Sequence, residues 1–301
     1  MTLNQLKAFY WAAKLGTFAI AADRLHVTQS SLSKRIAELE TDIGLQLFDR
    51  SGKRAVLTGV GSLLLEKARR MIELEEEVRS SLTQDIIPTG LCRFGLSEFS
   101  ATTWFPSFVQ RLGEEYPTLT IGPIVGLSRL LERLVERGEL DLAVIAGTSA
   151  NHAIASKSVA EVSFSWMSSP SRLAAGTILN AKHLQEHPVI SSTSESGLSF
   201  AFESWLAAYN IKIGQTIPCN SLTAITGLTV AGIGVSFLPT HYVQPLINKD
   251  LLVALRSDPP LPVLKYSLIW RRDDNRRLIQ VARDLLEQEI NFSRPNTLWG
   301  A

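Results

Sequence analysis

Apolar residues recur at helical spacing from the start of the chain. Leu3, Leu6, Phe9 and Ala13 fit one helix face, Gly16-Thr17 interrupts, and Phe18, Ala21, Ala22 and Leu25 repeat the pattern. His26-Val27 reads as a short turn. Thr28 is a good helix cap, because its hydroxyl can accept an orphan backbone N–H. Leu32, Ile36, Leu39 and Ile43 mark the buried stripe of the next helix, and Gly44 ends it. Short helices joined by a tight turn, with one packed before them, predict a helix-turn-helix. Apolar arms then flank Ser51-Gly52, which predicts a hairpin with Arg50, Lys53 and Arg54 near its tip.

Leu57, Val60, Leu64, Lys67, Met71, Leu74, Val78 and Ser81 are spaced alternately by three and four. This is a heptad seam, weakened at Lys67 and Ser81, and it predicts a linker helix over 59–87. The alternative is an amphipathic helix lying on the body. If the seam pairs two chains, Val60, Leu64, Met71, Leu74 and Val78 are the dimerisation residues. Pro88 and Gly90 stop the helix.

From residue 91 the texture changes. Predicted strands at 91–96, 119–125 and 140–145 alternate with predicted helices at 102–115 and 128–137. A second set begins after residue 162, with strands at 189–191, 234–238 and 265–270 and helices at 200–209, 222–231 and 275–290. The βαβα order predicts a mostly parallel sheet.

The length of 301 residues suggests two or three domains. The overall charge of +1 hides an asymmetry: residues 1–58 carry eight Lys/Arg against five Asp/Glu, whereas 59–87 carry four against six. A small basic module on a neutral body suits nucleic-acid binding. Cys92 and Cys219 stand far apart without a CxxC partner, which excludes a disulfide scaffold and fits a reducing compartment. No export signal is visible, and no apolar run approaches the ~20 residues of a membrane span, so a cytoplasmic location is expected.

The polar face of the third helix carries the first candidate chemistry. Ser30, Ser33, Lys34 and Ala37 share that face, with Gln29 in the first turn. Small residues let a helix enter the major groove, Gln can pair with adenine, and Lys or Arg with guanine or phosphate. Residues 1–58 resemble the winged helix-turn-helix of the LysR-type transcriptional regulators. The resemblance lies in Phe18-Ala19-Ile20-Ala21-Ala22-Asp23-Arg24-Leu25 through Thr28-Gln29-Ser30-Ser31-Leu32-Ser33-Lys34-Arg35-Ile36, then Leu39-Glu40, Gly44, Leu47-Phe48-Asp49-Arg50 and Leu57-Thr58-Gly61. The family's frequent Pro after Gln is Ser30 here. The resemblance implies a DNA face of Thr28, Gln29, Ser30, Ser33 and Lys34, with Arg35, Arg50, Lys53 and Arg54 near phosphates.

Gly138-Glu139-Leu140-Asp141-Leu142-Ala143-Val144 and the run from Val230 to Pro239 resemble the effector domain of the same family. The implied fold class is α+β and multi-domain: a winged helix-turn-helix (1–58), a long linker helix (59–87) and a two-lobed α/β effector-binding domain (91–301) resembling periplasmic binding proteins. Lobe I is expected over 91–162 and 266–301, and lobe II over 163–265. Ligands of open α/β sheets bind at strand carboxyl ends. That rule selects Ser97, Glu98, Phe99, Ser100, Thr102, Ser128, Gly147, Thr148, Ser191, Ser192, Thr193 and Thr223 as effector-binding candidates. Gly126, Leu127 and Ala146 lie in the same segments. These hydroxyls also suit loop caps. No Lys or Arg comes from these segments, and Glu98 and Glu195 would oppose an anion if they faced inward.

His183-Leu184-Gln185-Glu186-His187 matches the H-x-x-E-H zinc pattern, but Pro188 restricts His187 and a third ligand is needed. The resulting expectation is a ligand-responsive DNA-binding regulator, not an enzyme and without a cofactor. The rivals are a solute-binding protein without DNA function and a zinc hydrolase using His183 and His187. Expected partners are double-stranded DNA, a small-molecule effector with an organic acid among the candidates, further copies of the chain as homodimer or homotetramer, and RNA polymerase; no membrane is expected.

Overall fold

A computed structural model describes residues 1–49, 56–82, 89–296 and 298. The amino-terminal module contains α1 (Leu3–Leu15), α2 (Phe18–Arg24) and α3 (Gln29–Ile43), then the antiparallel pair β1 (Phe48–Asp49) and β2 (Val56–Leu57). Side-chain caps start the helices: the hydroxyls of Thr2, Thr17 and Thr28 each accept a backbone N–H. Gly16 and Gly44 end α1 and α3 in the left-handed conformation that a Cβ disfavours. The apolar faces converge on Leu6, Phe9, Leu32, Ile36, Leu39 and Leu47, all buried. Glu40 ties the wing root to α3, since its buried carboxylate accepts the N–H groups of Leu47 (2.8 Å) and Phe48 (3.3 Å).

The linker is α4 (Gly59–Leu82); residues 83–88 lie outside the described residues. Its buried positions, Gly61, Ala68 and Ile72, face the chain's own module. Val60 and Leu64, expected in the seam, are half-buried against that same module. Leu63, Met71, Leu74 and Val78 are exposed. The apolar stripe is therefore split: its early turns pack inward, and its outward face starts at Leu63, one position off the heptad reading.

Lobe I is built from β3 (Gly90–Leu96), α5 (Glu98–Thr102), α6 (Phe105–Glu115), β4 (Leu119–Val125), α7 (Ser128–Glu136), β5 (Leu142–Ala146) and β6 (Ile154–Val162). The chain crosses at Ser163 into lobe II. That lobe comprises β7 (Phe164–Ser168), β8 (Ile178–Leu179), α8 (Ala181–Glu186), β9 (Val189–Ser192), α9 (Gly197–Ala208), β10 (Thr216–Cys219), α10 (Leu222–Val230), β11 (Val235–Pro239), α11 (Thr240–Asn248) and β12 (Val253–Ser257). The chain then returns through β13 (Leu264–Arg271) and α12 (Arg277–Glu289).

The sheets run β4-β3-β5-β13-β6 and β10-β9-β11-β7-β12-β8. Both are mixed rather than all-parallel: three of the five pairings in the second sheet are parallel, but only two of the four in the first, short of the expectation from element order. β13 is antiparallel to β5 and β6, and β7 is antiparallel to β11 and β12, because each crossing reverses the chain. Leu264 and Lys265 pair with Val162 and Glu161 in lobe I, rather than belonging to lobe II. The helix expected over 102–115 is α6, which begins at Phe105 with Pro106 in its first turn; the short α5 precedes it, separated by Thr103-Trp104. One apolar cluster spans both lobes, from Phe94, Phe99 and Trp104 to Trp166, Phe202 and Phe237. Among the described residues no helix is long and apolar enough to cross a membrane.

Candidate functional site

The first site is the outward face of α3. Thr28, Gln29, Ser30 and Lys34 are exposed; Ser33 and Arg35 are half-buried. Thr28 is committed to the helix start, accepting from Ser31 N–H (3.2 Å) and contacting the Ser30 hydroxyl (3.0 Å). The Lys34 ammonium stays 78% exposed, with Glu38 at 4.0 Å, so it can be redirected to another anion at little cost. The wing's basic residues Arg50, Lys53 and Arg54 lie outside the described residues.

The second site is a cavity of about 550 Å³ between the lobes. Of the expected residues, Ser97, Glu98, Phe99, Ser128, Ser191 and Ser192 line it. The other six have local roles or face elsewhere. Ser100 is fully buried beneath Ser97, with their hydroxyls 3.1 Å apart. Thr102 donates to the Glu98 carbonyl (3.0 Å), and the Thr193 carbonyl accepts from Ser199 Oγ (2.6 Å). Gly147 donates its N–H to Lys265 O (2.7 Å), and Thr148 beside it is exposed and does not line the cavity. Thr223 is engaged by Glu98.

The two acidic residues serve as clasps between lobes. Glu98, on lobe I, accepts the N–H groups of Leu222 (2.7 Å) and Thr223 (3.0 Å) and the Thr223 hydroxyl, at the start of α10 on lobe II. A carboxylate suits the positive end of that helix. Glu195, on lobe II, pairs with Arg133 of lobe I at 2.7 Å, and its carbonyl accepts from Arg129 N–H (3.0 Å). The strand-end segments supply no Lys or Arg, as read from the sequence, but Arg133, from outside them, also lines the cavity. Counting only loop residues at strand ends missed it, because Leu130 in the first turn of α7 and Arg133 in the second both reach the cavity from within the helix. Asn220, Ile225, Phe237 and Tyr266 were likewise missed; they reach the cavity from both lobes and carry no shared local motif.

The two histidines do not share one continuous helix, as the zinc pattern requires. His183 lies in α8, but His187 has extended backbone (φ −114°, ψ 137°), as Pro188 requires. The Arg172 guanidinium sits 3.1 Å from His187 Nδ1. Burial, reinforced by that cation, lowers the His187 pKa. Among the described residues no cluster of His, Cys, Asp or Glu could hold a metal ion.

A three-helix module with an open polar helix face, a long linker helix and two lobes around a cavity define the class of regulators that bind both DNA and a small molecule. The family models agree. The "LysR substrate binding domain" matches residues 87–291, and the "Bacterial regulatory helix-turn-helix protein, lysR family" matches residues 3–62. The chain belongs to the LysR family of transcriptional regulators. It is 28% identical over 273 residues to the uncharacterized HTH-type transcriptional regulator YusT of Bacillus subtilis, covering 91% of this chain and 90% of that one. It is 36% identical over 152 residues to a probable RuBisCO transcriptional regulator of Gracilaria tenuistipitata var. liui, covering 50% of this chain and 49% of that one. Full-length OxyR of Pseudomonas aeruginosa shares the fold with a TM-score of 0.69 at 20% identity, over 96% of this chain and 94% of that one. Full-length CbnR, solved with its target DNA, shares it with a TM-score of 0.53 at 20% identity, over 96% of this chain and 99% of that one.

Proposed function

We propose that α3 reads operator DNA through Gln29, Ser30, Ser33 and Lys34, and that a small-molecule effector binds in the interlobe cavity. The open face of α3 carries the first half of this reading: small and polar side chains are exposed, and the Lys34 ammonium is held only by a long surface contact to Glu38. The second half rests on the cavity, which mixes apolar walls with serine hydroxyls and lies between elements of both lobes. An effector that binds the clasped arrangement better than an opened one shifts the chain toward it, and only such differential affinity transmits a signal. Wing contacts by Arg50, Lys53 and Arg54, self-association through α4 and a productive encounter with RNA polymerase complete the reading.

Duplexes selected from a random pool by the wild-type protein supply the test. Lys34→Ala should weaken binding to the selected duplex about tenfold, and lower the salt dependence if Lys34 meets a phosphate, with an unchanged circular-dichroism spectrum. Unchanged affinity for the selected duplex would remove α3 as the reading element.

A further inference from the structure

The module and lobe I meet through buried charge. Arg24, at the end of α2, has a side chain only 5% exposed. It donates to Asp141 (3.1 Å) and to Asp274 (2.7 Å), residues 117 and 250 positions further along the chain. Both aspartates have partners within lobe I: Arg93 Nη2 reaches Asp141 at 3.1 Å, and Arg276 Nη2 reaches Asp141 and Asp274 at 2.6 Å each. Beside them the α1 residue Tyr10 donates to the Asp273 carboxylate, which Arg271 also holds (2.9 Å). The Trp11 ring packs between two guanidiniums, Arg24 at 4.7 Å and Arg271 at 4.8 Å. Gly138 closes the contact, its Cβ position lying 3.5 Å from Leu15 and 3.7 Å from Arg24.

The same residues connect to the cavity. Arg271 Nη1 donates to the Glu136 carbonyl (2.8 Å), which ends α7. Ser128 and Leu130, in the first turn of α7, line the cavity, and Arg133 joins them from the second turn. One nine-residue helix thus touches the cavity near one end and the module junction at the other.

Taking the regulator reading above as given, we propose that this junction is a working interface: lobe I binds the chain's own DNA-binding module as its partner, so that α7, lobe I and the module turn as one body when the cavity changes shape. The fit is specific. Trp11 supplies a ring face to the guanidiniums, Tyr10 supplies a hydroxyl to Asp273, and Arg24 supplies a rigid planar fork whose two arms each reach a separate carboxylate, a fixed geometry that a lysine does not reproduce. Lobe I supplies the two carboxylates with enough guanidinium of its own to keep them compensated. The movement of lobe I then reaches α3 directly, without passing through α4.

Arg24→Met in the full chain tests this. Asp141 and Asp274 keep Arg93 and Arg276, so lobe I retains its own pairs. Undocking should raise the radius of gyration in small-angle scattering. It should also speed amide exchange at least tenfold across 18–25 and 138–141, while the strands of both lobes stay protected. Arg24→Lys, which keeps the charge and loses the fork, should speed exchange in the same segments to a smaller degree, and it serves if the Met variant does not fold. Unchanged exchange and an unchanged radius in a folded variant would overturn the proposal. Lys34→Ala separates the two readings: it should lose DNA affinity while keeping wild-type exchange at the junction, whereas failure of the regulator reading would leave the junction results untouched.

Discussion

Asp141 carries a large share of the charge balance at a single residue. Burial alone would raise its carboxyl pKa, but the guanidiniums of Arg276 and Arg93 outweigh burial and hold it at about 2. Asp273 and Asp274 shift downward for the same reason, with Arg271 and Arg276 as the respective partners. A folded value below the unfolded one contributes stability that is complete above the unfolded pKa and lost as pH falls through the folded one. With an unfolded value of about 3.9, the urea midpoint should stay level from about pH 7 to 5 and fall steadily from about 4 toward 2. A midpoint unchanged at about pH 3 would contradict the assignment. Asp274→Asn should cost about 3 kcal/mol, because it leaves buried Arg24 short of one carboxylate. The surface pair Arg133–Glu195 carries no such weight: its side chains are 47% and 43% exposed, and water screens them. Arg24 had a faint signal in the sequence, since it adjoins the apolar stripe of α2 where a charge needs a partner. The partner's identity had none.

At the scale of elements, the start of α9 approaches β5 so closely that only glycine fits. A Cβ on Gly197 would lie 2.0 Å from the Ala146 carbonyl oxygen. Gly197→Ala should therefore push lobe II off lobe I, cost about 1–3 kcal/mol and raise the exchange of β5 amides. Gly227, exposed within α10, has nothing within 4 Å of its Cβ position. Gly227→Ala should instead stabilise by about 0.5–1 kcal/mol, and equal melting shifts for the two variants would refute the close approach. In α4, Leu74 is 60% exposed and Leu63 76%. Leu74→Glu should lower self-association in sedimentation at unchanged helicity; an unchanged mass would place the contact between copies elsewhere. The helices of the module were legible because periodicity and caps are local, as Thr28 and Gly44 illustrate. Strands such as β6 were not: with Ser156, Lys157, Ser158 and Glu161 it carries no clear apolar alternation, and its pairing with β13 makes it a strand.

For the whole molecule, apolar periodicity by itself determined a helix-turn-helix module, a linker helix and an α/β body, and the charge excess pointed to the end that meets DNA. Those features depend on neighbours a few residues apart, where spacing and backbone chemistry act directly. The serines at strand ends were also legible, because the position of a cleft follows from strand direction. Tertiary structure decided which of them face the cavity, that Glu98 and Glu195 clasp the lobes, and that Arg133 joins them. It also decided which face of α4 is spent on the chain's own module. The docking of Arg24 between Asp141 and Asp274 belongs here as well. Each of these depends on groups brought together across long stretches of chain, where burial makes an unpartnered charge costly and so selects the partner, and no local pattern of residues records that choice.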